Sequence, residues 1–231
     1  MTRSQFLCRV IKEIFIRSFM GTLERKEREK EQRKNDILFA AEKIFYEKGF
    51  ETATMQDIAN YCELSKGTLY LYFKTKNELC IAIYSKSLQI FQKQLSEKIS
   101  ETDDSLKKIQ SIAPCFIDFI KKYPAYYQAI LNYRQHSSLC SEDSDFIRKS
   151  SILHKEITNL IRKIIEDGII AKEISSDIDS EQIANLIWNE KTGILSCATL
   201  SSKNGLDYEA CNSVNYFIEI LIKAIKEKEL E

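Results

Sequence analysis

An all-α fold is what this sequence predicts, on three observations. The 231 residues include only 2 Pro and 6 Gly, too few to punctuate a chain of many strands and turns. Leu, Ile, Lys and Glu, which helices and their surfaces accept readily, are abundant. Apolar residues recur at three- and four-residue intervals through most of the length, the spacing of one face of a helix. With 44% hydrophobic residues the chain can bury a proper core, and 29% charged residues supply a solvated surface.

Charge is balanced overall but unevenly placed. Residues 1–76 hold 15 Lys and Arg against 11 Asp and Glu, and the remainder holds 19 against 23. A mildly basic beginning on a mildly acidic body suits contact with a polyanion at that end. The 7 cysteines lie at 8, 62, 80, 115, 140, 197 and 211 with no Cys-x-x-Cys pair. Their odd number and scatter argue against a metal finger or a secreted disulfide framework. They read as small buried hydrophobes in a reducing cytoplasm. No run is long and apolar enough to span a bilayer.

Residues 1–22 form an extra amphipathic segment. Phe6, Leu7, Val10, Ile11, Ile14, Phe15 and Phe19 line one face, with Arg9, Lys12, Glu13 and Arg17 on the other. Charges interrupt the apolar part and no small-residue cleavage site follows, so a signal peptide is excluded. A membrane-surface helix, a helix packed on the body and a translated leader are the readings left. From Leu23 to Asn35 the chain is almost purely charged, with Glu24–Arg28 and Glu29–Arg33 four apart. That stretch reads as a solvated helix extension, with a basic arm on a nucleic-acid backbone as its alternative. Ile37, Leu38, Ala41, Ile44 and Phe45 then give a clear stripe ending at Gly49.

Residues 52–79 read as two short helices joined by a tight turn. Thr54 is a candidate N-cap for the first, whose apolar marks are Met55, Ile58 and Ala59. Glu63 and Leu64 make the turn, and Ser65 is the second N-cap. Leu69 and Phe73, four apart, pack back on Ile58 and Leu64. The outward face of the second helix then carries Lys66, Gly67, Thr68, Tyr70 and Tyr72. Gly67 costs about 1 kcal/mol against Ala inside a helix, so a close approach to another surface is the reason to expect for it. A charge, hydroxyls, a methyl and a bare backbone are groups that meet phosphates and base edges in a major groove.

A long helix follows, marked by Ile81, Tyr84, Leu88, Phe91, Leu95 and Ile99 and ending near Thr102. Further helical blocks run over Leu106–Lys122, Tyr126–Leu139, Phe146–Asp167 (stopping at Gly168), Glu181–Leu200 and Tyr208–Glu229. Aromatic residues crowd between Phe116 and Tyr133: Phe116, Phe119, Tyr123, Tyr126, Tyr127 and Tyr133, with His136 just beyond. Taken singly, each reads as packing. The last two blocks present wide apolar faces.

Ser65-Lys66-Gly67-Thr68-Leu69-Tyr70-Leu71-Tyr72-Phe73, with Lys74-Thr75-Lys76 and Glu78-Leu79 after it, resembles the recognition segment of TetR-type transcriptional regulators. Gly49-Phe50, Thr54 and Ile58-Ala59 also fall where that family's pattern expects them. The resemblance covers residues 33 to 80, about a fifth of the chain. Two departures bear on which sequence is read: Tyr72, where histidine is commoner, and Cys62-Glu63-Leu64, where Gly-Val is usual.

The resemblance implies a three-helix head with a helix-turn-helix over 23–78, and a helical effector-binding and dimerisation body over 79–231. It implies that Lys66, Gly67 and Thr68 face base edges while Thr54, Tyr70, Tyr72 and Lys76 hold phosphates and fix register, with Ser65 also among the DNA-binding residues. It also implies a cavity for a lipophilic or aromatic effector, lined by Phe116, Phe119, Tyr123, Tyr126, Tyr127, Tyr133, His136 and Trp188. Trp188 suits a subunit interface equally well. The final helix pair would build a four-helix interface with a second copy through Ile187, Ile194, Cys197, Val214, Phe217, Ile218 and Leu221. Because Met20 onward reads as an ordinary beginning for that family, residues 1–19 are expected to be a leader.

The expected partners are a near-palindromic double-stranded operator, a small-molecule effector and a second copy, with no membrane, metal or cofactor. Catalysis has no support. His136 and His154 are the only histidines and lie 18 apart, and there is no glycine-rich phosphate loop or Gly-x-Ser-x-Gly elbow. The expected function is a ligand-released repressor. An activator or ligand-independent DNA binder is the near alternative, and a helical protein-interaction adaptor the remote one.

Overall fold

The computed structural model describes residues 3–124, 145–201 and 208–226, and the side chains of 24–124, 145–189, 193 and 211–226. Among these the chain is helical, with eight helices and one isolated bridge between Ile174 and Lys226. The expected block over 126–139 lies outside the described residues.

α1 (Arg3–Lys48) is a single helix of 46 residues, about 70 Å long at 1.5 Å per residue. It joins three stretches that the sequence marks off by composition. Residues 24–33 are exposed, and Glu29 pairs back to Arg25 at 2.8 Å rather than forward to Arg33. Ile37, Leu38, Ala41, Ile44 and Phe45 are buried, and α1 ends at Gly49, whose φ of 80° suits a residue with no Cβ.

α2 (Met55–Tyr61), α3 (Lys66–Tyr72) and α4 (Lys76–Ile99) follow in quick succession. Each starts on a side-chain cap. Thr54, Ser65 and Thr75 accept from the backbone N–H of Asp57, Thr68 and Glu78 respectively. Ile58, Ala59, Leu69 and Phe73 are fully buried and hold α2 against α3. Between these two helices Glu63 takes a left-handed φ of 55°, a conformation that costs a side-chain-bearing residue about 1–2 kcal/mol.

The body comprises α4, α5 (Ser105–Lys122), α6 (Asp145–Ile170), α7 (Ser180–Ser201) and α8 (Tyr208–Ile225). α4 packs on α5 and α6; α6 also meets α7; α8 closes against α5 and α7. Gly168 does not stop its helix, which runs on to Ile170. A Cβ there would stand 2.9 Å from that of Ser105 and 2.7 Å from Ile174 Cδ1, so the glycine permits a close crossing of α6 on the start of α5. Head and body share one core that runs from Ile37 to Ile225.

Candidate nucleic-acid interface

The surface of α3 is built from its caps outward. Ser65 Oγ accepts from the Thr68 amide at 3.0 Å and lies 2.8 Å from the Thr68 hydroxyl, so the first turn is fixed at both ends. Lys66 lies over the Tyr70 ring, 5.9 Å from its centroid, a cation–π arrangement that draws two surface side chains together. Ser65, Lys66, Gly67 and Tyr70 are exposed and Thr68 is half-buried. Tyr72 is also half-buried and packs against the shared core, which leaves only part of it to meet a ligand.

Gly67 is the informative position. A Cβ built there would meet only Ser65 Oγ, at an ordinary 3.8 Å, and its φ is not left-handed. Among the described residues nothing requires glycine here, so its helix-destabilising cost points to a partner outside them.

Leu71 was not singled out from the sequence. It is 84% exposed, the most exposed of the large hydrophobic residues described. A helix turns about 100° per residue, so Leu71 points some 200° away from fully buried Leu69. That offset was readable in advance. A methyl-bearing side chain there can contact a thymine methyl in a major groove.

Beside α3, the cap of α2 is reinforced electrostatically. The Asp57 carboxylate accepts from Lys48 Nζ at 2.6 Å, from the Thr54 hydroxyl at 2.7 Å and from the Thr54 amide at 2.9 Å. These bonds, that from Lys48 foremost, lower its pKa from the ordinary 3.8 to about 2. Thr54 is therefore engaged in a capping box, with its side chain at the solvent edge.

Lys76 does not stand ready for a phosphate. Its ammonium donates to the carbonyls of Phe50, Glu51 and Ala53 at 2.5, 3.0 and 3.1 Å and lies 4.5 Å from the Phe50 ring centroid. An ammonium has three donors, and all three are used. The residue ties the turn between α1 and α2 to the first turn of α4.

Of the body residues expected around an effector, Phe116, Phe119 and Trp188 are 1–3% exposed and pack round Phe91, with centroids 5.2, 5.7 and 5.7 Å from it. They form one buried aromatic cluster. Trp188 Nε1 donates to His154 Nδ1 at 3.3 Å. Tyr123 is half-buried and borders a cleft at the junction with the head. Tyr126, Tyr127, Tyr133 and His136 lie outside the described residues.

Of the residues expected on a subunit face, Ile187, Val214, Ile218 and Leu221 are at most 6% exposed in the single chain, buried in its own core. Phe217 is half-buried, and the side chains of Ile194 and Cys197 lie outside the description. Among the described residues, the exposed large apolar ones on the same helices are Leu186, Tyr216 and Ile220.

Residues 37–83 match the family model described as bacterial regulatory proteins, tetR family. The HTH-type transcriptional activator FasR of Mycolicibacterium smegmatis is 27% identical over 101 residues, 44% of this chain and 46% of that protein. The match thus spans under half of that relative's length. The fatty acid metabolism regulator protein of Bacillus subtilis is 23% identical over 194 residues, 83% of this chain and 95% of its own. Among solved structures, the transcriptional regulator FadR from Bacillus subtilis in complex with stearoyl-CoA superposes with a TM-score of 0.62 at 20% identity. That superposition covers 82% of this chain and 98% of FadR. This shared fold is an all-helical one with a helix-turn-helix head.

Proposed function

We propose that the chain, whose residues 37–83 match the tetR family model, is a TetR-type regulator that acts as a cytoplasmic homodimeric repressor released from a near-palindromic operator by a lipophilic small molecule. The observation that carries this reading is Gly67, a glycine on the exposed face of α3 that nothing in the chain's own packing requires. Around it Lys66, Thr68, Tyr70 and Leu71 offer a cation, hydroxyls and a methyl-bearing edge for base and phosphate contact. Two copies would pair through Leu186, Tyr216, Ile220 and half-buried Phe217, presenting two recognition helices to adjacent major grooves. An effector preferring a conformer with the heads wrongly spaced would release DNA, and linkage requires DNA to weaken effector binding equally. The stearoyl-CoA held by the FadR neighbour supports a lipophilic effector over a purely aromatic one. FasR is named an activator, so the sign of regulation is part of the test.

The test is fluorescence anisotropy on DNA from upstream of the chain's own gene, at two salt concentrations. Wild type should bind selectively and more weakly in higher salt. Thr68→Ala and Leu71→Ala should each lose about tenfold in affinity, and a long-chain acyl-CoA should release the DNA. Binding indifferent to DNA sequence and to both substitutions would sink the reading. Release of DNA accompanied by a fall in transcription in a reporter strain would replace repressor by activator.

A further inference from the structure

A cleft of about 390 Å³ lies where the head meets the body. Phe39, Glu42, Lys43 and Tyr46 of α1 form one wall; Lys86 of α4 and Lys122, Tyr123 and Pro124 at the end of α5 form the other. The four α1 residues recur at three- and four-residue spacing and so share a face. Phe39 is 50% exposed and Tyr46 57%, two aromatic rings that the chain leaves in water beside the opening.

Three lysines and one glutamate line this space, a net charge of two positive. Glu42 pairs with Lys86 at 3.2 Å, an ion pair that crosses from α1 to α4. Lys43 and Lys122 instead lie over rings, 5.9 Å from the Phe39 centroid and 5.5 Å from that of Tyr123. Each aromatic wall therefore carries an ammonium at its edge. Rings that offer flat apolar contact, with cations beside them, complement a ligand that is flat and apolar at one end and anionic at the other.

We propose that this cleft binds a small organic anion with a flat apolar body. The charge of the occupant meets Lys43 and Lys122, and its apolar part stacks on Phe39, Tyr46 and Tyr123. The two walls belong to different parts of the molecule, so an occupant ties α1, which braces the helix-turn-helix, to α4 and α5. An effect of the occupant on DNA affinity rests on the repressor reading above; the binding itself does not.

The experiment titrates the full chain with 8-anilinonaphthalene-1-sulfonate, an aromatic anion whose emission rises in apolar surroundings. Wild type is compared with the Lys43→Ala/Lys122→Ala pair, with Phe39→Ala and with Lys149→Ala. Lys149 borders a separate polar groove between α4 and α6 and serves as control. Circular dichroism verifies that each variant is folded, and all four substituted side chains are exposed. Saturable binding of one probe per chain is expected, weakened about tenfold in the lysine pair and in Phe39→Ala and unchanged in Lys149→Ala. Absence of saturable binding, or equal binding in all four proteins, overturns the proposal. A second titration with operator DNA present separates the two readings, because a cleft that binds the probe while the chain ignores DNA leaves this inference standing and removes the repressor.

Discussion

The head and the body are held together by different kinds of contact. At the head and where it passes into the body, α2, α3 and α4 each begin on a hydroxyl that accepts from an amide three residues on: Thr54 from Asp57, Ser65 from Thr68, Thr75 from Glu78. In the body, the central contacts join residues far apart in the chain, such as Phe91 with Phe116 and Trp188. Local caps set the first turns of α2 and α3, while buried Leu69 and Phe73 tie α3 to the core it shares with the body. Long-range aromatic packing makes the body a unit that fails as a whole. The head is therefore an assembly of small separable terms, and the body a single cooperative one.

The sharpest test of this contrast is Phe91→Ala. Phe91 is 1% exposed and touches three other aromatic residues, so truncation should cost about 3–5 kcal/mol in urea unfolding. Loss of that size confined to a body transition would uphold the contrast; a loss below 1 kcal/mol, an order of magnitude typical of surface sites, would break it.

Lys76→Met should have the next largest effect, about 1–3 kcal/mol, because three carbonyls lose a charged donor. Hydrogen exchange should quicken over residues 50–61 and at the start of α4, while α6 to α8 keep their protection. Exchange that quickens uniformly would mean that head and body do not separate.

Acid provides the gentlest test. Asp57 has a folded pKa of about 2 against an ordinary 3.8, so its contribution is fully present above the ordinary value and is lost as pH falls toward 2. Stability of the head should decline over that window, and Asp57→Asn should flatten the decline. An unchanged slope in the variant would remove the Lys48–Asp57–Thr54 cluster as the cause.

The same contrast explains what the sequence made legible. Thr54 and Ser65 could be read as caps because their partners lie three residues away, and Gly67 because its cost in a helix is intrinsic. Lys76 could not be read, since its acceptors lie 23 to 26 residues back. In the body, periodicity correctly marked Ile187, Val214 and Ile218 as belonging to apolar faces. A periodic stripe reports that a face is buried and not what buries it, so it does not separate neighbouring helices of the same chain from those of a second copy. Aromatic density likewise marks Phe116, Phe119 and Trp188 as a cluster and does not distinguish rings around a void from rings that fill it.

Trp188 is the chain's only tryptophan, and it stands in the middle of the body, bonded to His154 and within 6 Å of Phe91. The single indole thus lies in the long-range core, and the head carries none. Its emission is an optical gauge of one half of the molecule: melting of the head leaves the spectrum in place, whereas any rearrangement that separates α4 from α7 changes its colour and yield.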